Sequence, residues 1–173
     1  MRTQPNPQRI LLPAKVSFIA LSLVLALLFD LLPWGRVAGV PDLCATVLAF
    51  WCIHQPRRVG IGIAWMLGLL LDVGNGTLLG QHALGYSVLA FLAVAVHRRI
   101  LWFAPWQQAL QLLPLLLSTQ MLMLVIRIAA GADFPGWTYF AGSFICAALW
   151  PALTFVLLLP QRQPEVVDEN RPI

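Results

Sequence analysis

The chain has 173 residues, of which 60% are hydrophobic and 10% are charged, and its formal net charge is +4. Ordinary soluble domains carry about 25% charged residues, so this composition excludes a soluble protein and indicates one compact bundle in a membrane. The positive charge does not indicate nucleic-acid binding, because the basic residues fall between apolar runs and not in one patch. We interpret them as topology signals.

Six apolar segments predict a six-helix transmembrane bundle, an all-α integral membrane protein. Residues 1–15 form a basic lead, and residues 160–173 form a polar tail that we expect to be disordered. The first apolar run lacks a cleavage signal, so we expect it to remain as the first span. The predicted membrane domain covers residues 16–159, with spans at about 16–34, 38–54, 59–75, 79–97, 108–128 and 139–159.

The second span is the least certain in length. Residues 42–54 are too few to cross about 30 Å of hydrocarbon unless residues 38–41 contribute. Pro41 and Asp42 mark its start, because proline suits the first turn of a helix and an early aspartate complements the positive end of the helix dipole.

The basic residues favour six spans over five. With six spans and a cytoplasmic N terminus, nine of the 11 Lys and Arg residues lie on the cytoplasmic side and two, Arg36 and Arg127, lie outside. This distribution matches the positive-inside rule. It predicts a multi-pass protein with both termini in the cytoplasm.

The chain is organised around residues 60–84, GIGIAWMLGLLLDVGNGTLLGQHAL. This stretch holds one carboxylate, Asp72, and then the turn residues Gly76, Gly80, Gln81 and His82. Burying a carboxylate at a span end is costly unless it is paired or hydrated. Asp72 is therefore either an anchor bonded to the following turn, Gln81 or His82, or an interfacial aspartate in contact with water.

Other charged residues have the same predicted depth. Solvation at helix ends is the favoured interpretation of these side chains, although they could also form a polar layer with Asp72. They are Asp30, Arg36, Asp42, Arg127 and Asp133.

No residue pattern indicates catalysis. We expect no metal site at His82, because His54 and His97 belong to the opposite membrane face, and we interpret the three cysteines as small buried hydrophobes. The glycines of GNGTLLG lack the Lys-Ser/Thr ending of a phosphate loop. No nucleophile has an adjacent base, so we predict neither an enzyme nor a cofactor.

The chain resembles the MreD family of bacterial rod shape-determining membrane proteins. The resemblance rests on an ordered set of motifs between Pro41 and about Gln120. These motifs are Pro41-Asp42, PRRVG at 56–60, GLLLDV at 68–73, GTLLGQHAL at 76–84 and WQQAL at 106–110.

The resemblance implies a non-catalytic protein of the cytoplasmic membrane that binds MreC. It places the chain in the elongation machinery that couples MreB filaments to peptidoglycan synthesis by a RodA-type glycosyltransferase and a class B penicillin-binding transpeptidase. It also implies a fold similar to the substrate-binding subunits of energy-coupling vitamin transporters. We expect a face rich in small residues to receive the partner helix, with membrane lipid around the bundle and no nucleic acid bound.

The alternative is a small-molecule-binding membrane subunit of a transporter. In that case the polar groups at the outer end line a pocket. The side chains available for such a pocket are Asp30, Trp34, Asp72, Arg127 and Trp137.

Overall fold

A computed structural model describes residues 14–33 and 39–161, and these residues form six α-helices and two 3-10 turns, without a strand among them. The prediction of an all-helical membrane protein is confirmed, whereas the similarity to vitamin-transporter subunits stays a prediction. The helices are α1 (Val16–Asp30), α2 (Leu43–His54), α3 (Ile61–Asn75), α4 (Gln81–Ile100), α5 (Pro105–Ala129) and α6 (Ala141–Leu158), and the 3-10 turns are Trp137–Phe140 and Leu159–Gln161.

Within the described residues, three stretches are long and apolar enough to cross a membrane: Gln81–Ile100, Pro105–Ala129 and Trp137–Gln161. The helices α1, α2 and α3 are apolar but shorter. The boundaries of the six membrane spans therefore remain a prediction. The helix bounds show where regular structure begins and ends within each predicted span.

Helix α2 is the centre of the bundle. Ten of its 12 residues are buried, and it packs against α1, α4 and α6. Its backbone polar groups are covered by protein, so it need not match the full thickness of the hydrocarbon. This explains how a span that is short by sequence is accommodated.

Close packing of α3 on α4 depends on one glycine. A Cβ atom on Gly68 would lie 2.5 Å from the backbone nitrogen of Ala83, so only glycine permits this separation. On the face of α4 that packs against α5, a Cβ on Gly85 would lie 2.5 Å from the methyl carbon of Met123. Small residues of this kind let membrane helices approach closely.

The small residues therefore face the inside of the bundle. Ala64 in α3 and Ala90 and Ala93 in α4 are fully buried. These small residues are covered by helices of the same chain, and the expectation that a small-residue face receives a partner helix stays a prediction. The exposed side of α3 carries large side chains instead, namely Ile61, Trp65, Met66, Leu70 and Val73.

The antiparallel helix order sorts charged side chains to two ends of the bundle. The end where α2, α4 and α6 begin, here called the acidic end, holds Asp30, Asp42, Asp72, Asp133 and Arg127. The opposite end, here called the basic end, holds Lys15, Arg57, Arg58, Arg98 and Arg99. This separation accords with the predicted orientation, in which the basic end is cytoplasmic.

Candidate functional site

Asp72 joins the end of α3 to the start of α4. Its side chain is buried, with 1% of the residue exposed. The backbone N–H groups of Gly80, His82 and Ala83 donate to the carboxylate at 2.8, 2.9 and 3.3 Å. The Thr77 hydroxyl donates at 3.0 Å, and Nδ1 of His82 lies 2.7 Å from Oδ1. The anchor interpretation is confirmed, and the water-exposed interpretation is wrong.

Two glycines shape the turn that Asp72 binds. Gly76 ends α3 with φ of 61°, and Gly80 precedes α4 with φ of 98°. Both conformations are left-handed and favour glycine. Gln81 is the first residue of α4 and is 7% exposed. Asp72 bonds to Gly80 and His82, which flank Gln81, and not to Gln81 itself.

A second pair of carboxylates binds the start of α2. Asp42 is the N-cap and accepts a bond from the backbone N–H of Ala45 at 2.7 Å. Asp30, at the end of α1, accepts from the N–H groups of Leu43 at 3.2 Å and Cys44 at 2.7 Å. Three amides of the first turn are thus satisfied by two side chains. Asp30 and Asp42 are half-buried and bind helix amides, while Arg127 and Asp133 are exposed.

Tyr86 connects this cap to α4 and was not identified from the sequence. It is fully buried, and its hydroxyl donates to Oδ1 of Asp42 at 2.6 Å. Its ring packs edge-on against His82 at 6.2 Å. A tyrosine four residues after His82 in an apolar helix was an available signal. Pro41 lies just before the N-cap, so its predicted place in the first turn is wrong.

A cavity of about 820 Å³ opens between these helix ends. Its volume is within the usual range for ligand sites, about 300–1,000 Å³. Leu32, Leu71 and Met123 supply apolar surface. The polar side chains lining it are Asp30, Asp42, Asn75, His82, Tyr86, Gln120, Arg127 and Tyr139.

The cavity includes some of the side chains proposed for a pocket and omits others. Asp30 and Arg127 line it, whereas Asp72 lies outside its lining. Trp137 is 83% exposed and also lies outside the lining, and Trp34 falls outside the described residues. Gln120 and Tyr139 were not singled out, because residues of α5 and of the loop before α6 meet only in the folded bundle.

The arrangement supports binding. The cavity presents a guanidinium, phenols and amides, while its two aspartates are oriented by helix amides. Within residues 14–33 and 39–161, no group of three or more His, Cys, Asp or Glu side chains could hold a metal ion. The three cysteines are free and buried, as predicted.

Comparisons with known proteins agree with one another. The family model described as rod shape-determining protein MreD matches residues 9–160. A relative, the rod shape-determining protein MreD of Haemophilus influenzae, is 28% identical over 130 residues, which is 74% of this chain and 80% of the relative. No solved structure matches the chain. Because the family model covers most of its length, the chain belongs to the MreD family of rod shape-determining proteins.

Proposed function

We propose that the protein is a non-catalytic membrane subunit of the bacterial cell-elongation complex. In this proposal it lies in the cytoplasmic membrane, binds MreC and helps couple MreB filaments to peptidoglycan synthesis. The RodA-type glycosyltransferase and the class B penicillin-binding transpeptidase are then indirect partners. Family membership supports the role in rod shape.

The observation that carries the non-catalytic role is the use of the carboxylates at the acidic end. Asp30 and Asp42 bind the first turn of α2, and Asp72 binds the first turn of α4. These three groups hold helix ends in place around the cavity, which Asp30 and Asp42 also line, as expected of a rigid binding surface.

The acidic-end cavity is the docking place that we propose for MreC. Its volume is about 820 Å³, and polar and apolar groups share its lining. A lipid chain would favour an apolar groove, whereas a polypeptide segment matches a mixture of side chains with hydrogen-bonding capacity. Its position at the end of the bundle suits a segment of MreC next to the membrane.

The test is co-purification of MreC with tagged protein from native membranes. Arg127→Glu reverses an exposed charge in the cavity lining and should reduce MreC recovery by tenfold or more. Arg98→Glu is the matched control, because it makes the same change on the exposed basic end and should leave MreC recovery unchanged. Equal recovery of MreC by both variants and the wild type would refute docking in this cavity.

The cavity volume also favours a second candidate, a small-molecule-binding subunit of a transporter. That function requires different partners. Recovery of an ATPase pair and its coupling subunit in the same purification, together with a small ligand that raises the melting temperature of the purified protein, would support the transporter. Recovery of MreC with wall-synthesis enzymes would support the elongation complex.

A further inference from the structure

The basic end carries a compact surface of cations and aromatic rings. This basic-end patch comprises Arg57, Arg58, Arg98, Arg99, Trp102 and Trp106, all of which are exposed. The two arginine pairs are far apart in sequence, but α3 and α4 pack along each other in opposite directions. Consequently the turn before α3 lies at the same end as the last turn of α4.

Each arginine pair of the patch is followed by a residue buried in the core. Val59 follows the first arginine pair and Ile100 follows the second, and each is 1% exposed in the same core. Arg58 also donates a hydrogen bond to the backbone carbonyl of Ala14. The arginines therefore project from fixed backbone positions, which limits how far they can separate to reduce their mutual repulsion.

No carboxylate in the described part of the chain neutralises this charge. Asp30, Asp42, Asp72 and Asp133 all lie at the acidic end. The one side-chain ion pair among residues 14–33 and 39–161 joins His82 to Asp72 and is also at that end. The four exposed guanidinium groups at this end can therefore bind anions from outside the helical bundle, and arginine binds phosphate in a bidentate geometry.

The aromatic residues indicate where that anion lies. Trp102 is 88% exposed and Trp106 is 61% exposed. Such exposure of indole rings is unfavourable in water but typical of the headgroup region of a bilayer, where the ring is partly apolar and its N–H is hydrated. The arginines beside these rings are then at the depth of lipid phosphates.

We propose that the basic-end patch binds an anionic phospholipid, with its phosphate groups between the two arginine pairs. Trp102 and Trp106 hold the adjoining glycerol and acyl-chain region. Two arginine pairs match the two phosphates of cardiolipin better than the single phosphate of phosphatidylglycerol. Zwitterionic phosphatidylcholine lacks the net negative charge that the patch selects.

Native mass spectrometry of the full chain in detergent tests this proposal. Cardiolipin, phosphatidylglycerol or phosphatidylcholine is added at fixed concentration, and the lipid-bound fraction is measured. We expect binding in the order cardiolipin, phosphatidylglycerol, phosphatidylcholine. Arg98→Gln/Arg99→Gln should weaken cardiolipin binding by about tenfold or more, since each basic residue near an anionic lipid surface contributes measurably.

Three further variants make the result specific. Arg98→Lys/Arg99→Lys keeps the charge and should retain most of the binding, and Trp102→Ala should weaken it by a few fold. Arg127→Gln removes a cation at the acidic end and should leave binding unchanged. Circular dichroism and the melting temperature without added lipid identify any variant that has unfolded.

Two results would overturn the proposal. One is equal retention of cardiolipin by the wild type and Arg98→Gln/Arg99→Gln. The other is equal binding of cardiolipin and phosphatidylcholine by the wild type.

Discussion

The two ends of the bundle use charged residues in different ways. At the acidic end the carboxylates of Asp30, Asp42 and Asp72 accept bonds from backbone amides at the starts of α2 and α4. At the basic end, α3 follows its N-cap Gly60 without a side-chain cap, and the arginines are exposed. Charge at the acidic end therefore fixes internal geometry, whereas charge at the basic end lies on the exposed surface of the bundle.

The largest effect is expected for Asp72→Ala. It would leave three backbone amides, the Thr77 hydroxyl and the His82 ring without their acceptor, so we expect a loss of about 3 to 5 kcal/mol. The melting temperature in detergent measures it, and MreC co-purification should weaken as well. Asp133→Ala is the control, because it removes an exposed carboxylate near the same end. Equal melting temperatures for the two variants would contradict the structural role of Asp72.

A somewhat smaller effect is expected for Gly68→Ala, which tests whether the acidic end depends on the close approach of α3 and α4. The new methyl group would overlap the backbone of Ala83, so we expect a loss of about 1 to 3 kcal/mol. Gly62→Ala in the same helix is the matched control, since nothing lies within 4 Å of a Cβ there. Stability should fall only for Gly68→Ala, and an equal response at both positions would argue against tight packing.

Asp30→Ala removes one of the two carboxylates that cap α2 and leaves the other in place. The amides of Leu43 and Cys44 lose their acceptor while Asp42 still binds Ala45, so we expect a loss of about 1 to 2 kcal/mol. Hydrogen exchange should accelerate in a peptide that covers the start of α2, with the exchange of α5 as an internal reference. Unchanged exchange at the start of α2 would show that water replaces the Asp30 carboxylate without cost.

The smallest stability change is expected at the basic end. Arg98→Gln/Arg99→Gln alters exposed side chains, and without added lipid its free energy of unfolding should stay within about 0.5 kcal/mol of the wild type. The melting temperature measured beside that of Asp72→Ala makes the comparison direct. A loss as large as that of Asp72→Ala would show that the two ends do not differ as described.

The features that the sequence could predict are local ones. Asp72 and its partners Gly80 and His82 lie within ten residues of one another, so a turn of known residue types was enough to suggest the bond. Tyr86 and Asp42 are 44 residues apart, and no periodicity links them. The start of α2 is also local, because the capping carboxylate of Asp42, part of the predicted helix-start signal, immediately precedes the helix.

The burial of α2 has a consequence for how the chain is made. A 12-residue helix preceded by an aspartate is a poor substrate for independent insertion from the ribosome into lipid. When α2 is synthesised, the Asp30 carboxylate of α1 is already available to the amides of α2. Tyr86, which donates to Asp42, follows 44 residues later. Because α2 also packs against α6, the central helix of the bundle completes its contacts only when the last helix has been synthesised.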